Sequence, residues 1–378
     1  MYTNLKEVID MLQAQLEDGR LILLAAHQKE QIHNFRKQRF LCPACRKSVI
    51  IRAGKKVIPH FAHEQIHDCE LDRTGESLYH MRGKLQLFYW LKKQGYAVRL
   101  EECVKDSARR PDLLLHTPSG RELAIEYQCA SISDEELLRR NEAYEQNGIV
   151  PIWILGGNRL KRTSTYMLDL PKREQRFLMQ HKQNMPLQLL YYCSNTETLC
   201  NVQHILLTGK KQTIGQFFFR PLQRLHFPQL FQTLPKKLQE INQAWQTVQA
   251  RAITKPLTFA SAPIKRWITR LYDYGLLLQD IPLSILQPVE AQYQMSVPPY
   301  IWQTDLWLEQ LDHLPVMESV SLNRLVYVGR KWEVTTKPFA IPSNKHPVES
   351  YMQSLCQQGW FDQMDSDTFV KKKVPSLS

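Results

Sequence analysis

Apolar residues along this chain recur in two rhythms, and the switches between them outline a mixed α/β region. Leu78, Met81, Leu85, Phe88 and Leu91 fall at the spacing of a helix with one face in a core. Thr74 or a near neighbour is the expected cap, and Gly95 the stop. Residues 96–101, 111–116 and 122–128 then read as strands, the last two separated by the breaker cluster Thr117-Pro118-Ser119-Gly120. A helix is predicted over 134–146, ended by Gly148, and Val150-Pro151-Ile152-Trp153-Ile154-Leu155 reads as a buried strand. The order is helix, three strands, helix, strand. Its last strand–helix–strand return predicts parallel pairing through a right-handed crossover.

Upstream, residues 12–25 predict a hairpin turning at Glu17-Asp18-Gly19-Arg20, because Asp-Gly suits the tight turn. Residues 40–69 form a small segment bearing cysteines and histidines. Past Gly156-Gly157 the pattern changes: residues 159–182 are rich in lysine and arginine, and 264–279 and 300–311 mix aromatics and leucine at helical spacing. Pro221, Pro228 and Pro235 interrupt any helices there. The expected division is therefore 1–71, a zinc-ribbon-like β module; 72–158, an α/β core; and 159–378, a mostly helical C-terminal domain.

Bulk properties narrow the class. A chain of 378 residues exceeds one ordinary core, and 43% apolar with 23% charged residues excludes a disordered chain. The longest apolar run, residues 21–26, is too short to cross a bilayer, and no export signal is legible, so a cytoplasmic protein without a membrane span is expected. The formal charge of +12 favours a polyanionic partner, since lysine and arginine release counterions from phosphates. Eight cysteines in so long a chain do not make a disulfide framework. Cys103, Cys129, Cys193, Cys200 and Cys356 lack metal spacing and read as small buried hydrophobes. The basic stretch over 159–182 and Phe217, Phe218 and Phe219 read first as a solvated face and as core; a phosphate-tracking, base-stacking surface is the alternative.

The strands carry the candidate chemistry. Alternation puts Glu122, Ala124, Glu126 and Gln128 on one face, and Leu123, Ile125 and Tyr127 on the other. The hairpin with residues 111–116 brings Asp112 beside Glu126 and Gln128. Two carboxylates with a third polar group suit a hard cation such as Mg²⁺, able to polarise a phosphodiester and activate water. On the preceding helix Glu76, His80 and Lys84 lie four apart. Glu76 is a further candidate carboxylate, and His80 and Lys84 candidate phosphate contacts. Arg140 and Tyr144, also four apart, are candidate nucleic-acid contacts or simply stack on each other.

In the small module, Cys42-Pro43-Ala44-Cys45 is a knuckle whose thiolates can grip Zn²⁺. A hairpin over 48–58, turning at Ala53-Gly54-Lys55, returns the chain to His60 and His63. The expected ligands are Cys42, Cys45, His60 and His63, with His63 and His67 together, or Cys69 as fourth ligand, as alternatives. So small a core needs a metal staple, and four protein ligands leave no open position, which makes it structural or DNA-contacting rather than catalytic.

Pro111-Asp112 followed by Glu126-Tyr127-Gln128 resembles the PD-(D/E)XK nuclease core, a restriction-endonuclease-like fold. Taken with Cys42-Pro43-Ala44-Cys45, His60-Phe61-Ala62-His63, Arg110-Pro111-Asp112, Ser131-Ile132-Ser133, Arg140, Tyr144 and Ile152-Trp153-Ile154-Leu155, it is similar to the competence protein CoiA family over residues 11–160, and more loosely beyond. The resemblance implies a role in natural transformation, acting on incoming single-stranded DNA with recombination proteins as partners. It also implies Asp112 and Glu126 as ligands of Mg²⁺ or Mn²⁺, beside Glu76 and Gln128. Gln128 stands where the nuclease pattern has lysine, so its amide would position water without bringing positive charge. Lys84 or Arg140 is the expected substitute. A DNA-binding accessory that keeps the fold without turnover is the rival class.

Overall fold

A computed structural model describes residues 10–43, 45–54, 57–64, 77–104, 109–182, 185–254, 260–334, 341 and 345–373. Thr74, Glu76, His67 and Cys69 lie outside the described residues. Two compact units divide the chain. The first takes Met1–Leu160, Leu190–Cys200 and Phe219–Leu230; the second takes Lys161–Leu189, Asn201–Phe218 and Phe231–Ser378.

The first unit begins with short strands, β1 (Asp10–Met11), β2 (Gln13–Leu16) and β3 (Leu21–Leu23), then α1 (Lys29–Phe35), β4 (Phe40–Leu41), β5 (Ser48–Gly54) and β6 (Val57–His63). Gly19 adopts φ +89°, the left-handed conformation that the Asp-Gly turn between β2 and β3 requires. The strands pair antiparallel in the order β1-β6-β5-β4-β2-β3. Met11, Phe40, Cys42, Val49, Ile51 and Phe61 fill the core of this module, with the Phe40 and Phe61 rings 4.8 Å apart.

Next come α2 (Leu78–Lys93), β7 (Ala97–Leu100), β8 (Leu113–His116), β9 (Glu122–Gln128), α3 (Asp134–Gln146) and β10 (Val150–Gly156). Both helices start on a serine cap: Ser77 Oγ accepts from the His80 amide and Ser133 Oγ from the Glu136 amide. β7, β8 and β9 are antiparallel neighbours, whereas β9 and β10 are parallel, as the crossover through α3 predicts. The chain runs through β11 (Met167–Asp169) and α4 (Lys172–Gln175) in the second unit, then β12 (Gln188–Cys193), whose Leu190, Tyr191 and Tyr192 pair parallel with β10. Gly83 has a packing reason: a Cβ there would overlap the Tyr127 ring, so α2 lies directly on the Tyr127 face of β9. Tyr127 Oη in turn donates to Tyr192 O at 3.0 Å.

The second unit departs from the mostly helical expectation. It contains most of β13 (Thr198–Leu207) and β14 (Gln212–Pro221), joined at a turn, with β11 antiparallel to β14. Buried polar side chains hide the period of β13: Asn201, Gln203 and His204 are buried, as is Gln188 of β12. Several of them bond to one another and to backbone: Gln203 Nε2 donates to Gln188 Oε1 and Gln232 O, and Gln203 Oε1 accepts from the Leu234 amide. Helices then dominate: α5 (Leu238–Thr254), α6 (Ala262–Asp273), α7 (Pro299–Leu306), α8 (Leu322–Gly329) and α9 (Pro347–Gln357), with a small antiparallel sheet of β15 (Ser319–Ser321), β16 (Phe361–Gln363) and β17 (Thr368–Lys371). The helical spacing foreseen over 300–311 is met by α7 and a wider-wound turn, Trp307–Leu311. Trp302, Trp307 and Tyr351 are buried at its core. Among the other cysteines Cys200 is buried as expected, but Cys103 is exposed, because it follows the end of β7. Among the described residues no helix is long and apolar enough to cross a membrane.

Candidate functional site

The antiparallel register pairs Leu113 with Ile125, so Asp112 and Glu126 stand opposite each other one step beyond the end of the β8–β9 ladder. Helices flank that end on both sides. α2 packs on the Tyr127 face of β9, while Tyr144 of α3 packs with Ala124 on the Glu126 face. Each carboxylate is gripped from a different helix. Asp112 Oδ2 accepts from the Tyr127 amide at 2.8 Å and lies 3.3 Å from His80 Nε2; its Oδ1 is 3.5 Å from Lys84 Nζ. Glu126 Oε2 is 3.2 Å from an Arg140 guanidinium nitrogen, and Oε1 accepts from the Tyr144 hydroxyl.

Around this pair is a buried ion network that sequence reasoning missed. Lys84 is 1% exposed and ion-paired with Glu101. Glu101 also faces Arg110 at 3.4 Å and accepts from the Leu12 amide of the N-terminal module at 3.3 Å. On the other side Glu136 joins Arg109 and Arg140, at 2.9 and 3.0 Å. Nothing in the sequence flags Glu101, since its partners come from a helix, a loop and the distant bend between β1 and β2.

The surroundings push the carboxylates apart. Burial raises Glu126 to about 7, with the Asp112 charge adding to the rise, while Arg140 and the Tyr144 hydroxyl work against it. For Asp112 burial also works upward, but the charges of His80 and Lys84 and the bonds from His80 and the Tyr127 amide overcome it. They hold Asp112 well below the usual carboxylate range. Glu101 is lowered too, because Lys84 and Arg110 outweigh its burial. The result is one permanent anion beside a carboxylate that titrates near neutrality.

Of the residues singled out in the sequence, Asp112, Glu126, His80, Lys84, Arg140 and Tyr144 come together. Arg140 and Tyr144 converge on Glu126 rather than merely stacking. Lys84 is corrected: so deeply buried an ammonium, held by Glu101 and Asp112, is no surface contact for a phosphate. Gln128 is half-buried and donates its Nε2 to Ala130 O at 2.9 Å, beside Arg159, which donates to Gln128 O and Ala130 O. Glu76 lies outside the described residues.

A second cluster lies in the N-terminal module. The donor atoms of Cys42, Cys45 and His63 all lie within 4.8 Å of one another, with Cys45 Sγ 3.3 Å from His63 Nε2. Arg46, at φ +60°, closes the knuckle, its amide donating to Cys42 O at 2.9 Å. Two thiols and an imidazole suit a soft, tetrahedral ion such as Zn²⁺. His60 does not join them. Three residues apart on a strand, His60 and His63 take opposite faces: His63 pairs with core-facing Val49, whereas His60 pairs with exposed Arg52. His60 Nδ1 instead sits 2.7 Å from Ile58 O.

Fold and site together define an α/β protein with a polar, helix-flanked carboxylate pair and a separate cysteine–histidine cluster. Family models agree in three consecutive pieces: the competence protein CoiA N-terminal domain over residues 24–72, its nuclease-like domain over 76–235 and its C-terminal domain over 241–377. The chain belongs to the competence protein CoiA family. It is 28% identical over 359 residues to competence protein CoiA of Bacillus subtilis (strain 168), covering 92% of this chain and 93% of that relative. No solved structure matches the chain.

Proposed function

We propose that the first unit cuts DNA during competence, through a PD-(D/E)XK-type site in a restriction-endonuclease-like core at which Asp112 and Glu126 hold Mg²⁺ or Mn²⁺. The carrying observation is the opposed pair itself: an anionic Asp112 facing a Glu126 that titrates near neutrality, at the open end of an antiparallel ladder. Two carboxylate donors fit an ion that keeps most of its water, as Mg²⁺ does. Such an ion, when bound, supplies charge to the scissile phosphate and acidifies water.

The chain's own residues do the rest. Arg140 and Tyr144 orient Glu126, and Lys84 and His80 orient Asp112. Arg140 and Lys84 bring to the carboxylates the positive charge that Gln128 lacks. Gln128, with Nε2 engaged by Ala130 O, keeps Oε1 to accept from a water. Glu76 is kept as a further carboxylate of the set. Cys42, Cys45 and His63 hold a structural Zn²⁺, completed by a fourth ligand. Residues 1–71, 72–158 and 159–378 act as metal-stapled module, catalytic core and accessory domain of a cytoplasmic protein working on incoming single-stranded DNA beside recombination proteins.

The test is digestion of circular and linear DNA, single- and double-stranded, with Mg²⁺, Mn²⁺ or chelator. Cleavage only with metal, lost in Asp112→Ala and in Glu126→Ala, is expected; cleavage unchanged in both variants would refute the assignment. One observation favours the rival, a DNA-binding accessory without turnover: Gln128 spends its donor on backbone. Binding without cleavage under every condition would decide for it.

A further inference from the structure

A cleft of about 900 Å³ in the second unit combines cations, aromatic rings and a helix N-terminus. From these features we infer a second ligand site, independent of the carboxylate pair, that takes a nucleotide: its phosphate against Lys172, Lys210 and Arg266, and its base against Trp332.

Charge comes first. Lys172, Lys210, Arg266, Arg270 and Lys331 line the cleft, and among the described residues Asp305 is the one acidic group on its wall. Asp305 is 3% exposed; it and Glu309 are engaged by Arg270 and Lys331, so that group is internally balanced. Lys172 and Arg266, both exposed, enter no ion pair among the described residues. Lys210 adds a further positive charge, its Nζ 5.3 Å from the Tyr300 ring centroid. It is presented by the turn between β13 and β14, where Gly209, at φ +73°, approaches the Pro298 backbone so closely that a Cβ would overlap it.

Polar donors point the same way. Ala260 and Ser261, at the start of α6, line the cleft, and the Ser261 side chain makes no cap hydrogen bond. The N-terminus of a helix this long favours an anion. Trp267, on the same helix, also lines the cleft. It is 3% exposed, and its indole N–H is buried with no acceptor among the described residues. That nitrogen is shut off from the cleft, so Trp267 serves as packed support for its wall, with its ring centroid 6.1 Å from that of Tyr300. Trp332, half-buried with its own N–H given to Asp305 at 2.9 Å, is held as a fixed aromatic wall. Fixed aromatics with phosphate-facing cations are what single-strand binders use.

The occupant is a free nucleotide or one unit of a strand, and the experiment separates them. The full chain carrying Asp112→Asn is titrated with fluorescein-labelled oligothymidylate by anisotropy, and with thymidine monophosphate by calorimetry. Lys210→Glu with Arg266→Glu is expected to weaken the bound probe by roughly tenfold or more and to flatten its salt dependence, while Lys210→Arg with Arg266→Lys keeps both. Trp332→Leu, which removes the ring assigned to the base, weakens binding several-fold, so the test does not depend on the charge reversals folding. Monophosphate binding that is lost on charge reversal identifies a free nucleotide; oligomer binding weakened by the reversal, without monophosphate binding, identifies a strand; either upholds the site. Unchanged oligomer affinity and salt slope in the charge-reversed chain, with no monophosphate binding, overturns it. So does displacement by polyglutamate as readily as by unlabelled oligothymidylate, because a mere polyanion surface would behave that way.

Discussion

Tyr144 donates its hydroxyl to Glu126, so α3 reaches across to hold a carboxylate at the end of β9. The bond ties a buried phenol to the one acidic group here whose charge changes near neutrality. Removing it in Tyr144→Phe leaves a buried carboxylate oxygen with one donor fewer. The expected cost is about 1–3 kcal/mol, read by urea unfolding near neutral pH. Because the hydroxyl favours the charged form, the variant should also titrate Glu126 higher, shifting any cleavage profile toward alkaline pH.

Stability should depend on pH with a sign fixed by Glu126. Its folded value, about 7, lies above the ordinary 4.5, so the folded chain holds the extra proton between those values. Its contribution is full below 4.5 and is lost as pH rises through about 7. The loss is on the order of 3 kcal/mol at most for the metal-free chain. Asp112 has the opposite sign: its lowered value gives stability above the usual carboxylate range that is lost only in strong acid. Denaturation midpoints from pH 5 to 8 should therefore fall in the wild type and stay flatter in Glu126→Gln.

Lys84→Met should be severely destabilising, by about 3–5 kcal/mol, because it strands Glu101 and Asp112 without their buried partner. Adding Glu101→Leu should recover much of the loss. A double variant as unstable as Lys84→Met alone would mean that packing, not charge, is what Lys84 contributes. Thermal unfolding of the set distinguishes these outcomes.

The cysteine–histidine cluster makes a selective prediction. Elemental analysis of freshly purified protein should find zinc, lost in Cys42→Ser and His63→Ala but retained in His60→Ala. Retention in all three variants, or loss in His60→Ala with retention in His63→Ala, would contradict the face assignment.

Much of the first unit was legible because its apolar period is unbroken. The helix of Met81 and Leu85, the Asp-Gly hairpin and the crossover from β9 to β10 follow from spacing and turn residues alone. Asp112, Glu126, Arg140 and Tyr144 were legible as candidates through strand alternation and motif order. Their exact partners were not, since Tyr144 and Glu126 meet only after α3 folds back. Glu101 was invisible for the same reason: its partners include Leu12, 89 positions away. His60 was misjudged by counting His-x-x-His as a ligand pair without applying strand alternation to it. The strands β13 and β14 escaped notice because Asn201, Gln203 and His204 are buried polar residues, paired across the fold rather than facing water.

The most direct measurement is binding of Mn²⁺ to the purified chain, followed by electron paramagnetic resonance and by calorimetry in buffers of different ionisation enthalpy. A shared cation needs Glu126 ionised, so binding near pH 6 should release protons and tighten as pH rises through about 7. Asp112→Asn and Glu126→Gln should each weaken it by about tenfold or more. Binding that is undiminished in both variants, or that releases no proton from the wild type near pH 6, would contradict a metal site shared by these two carboxylates.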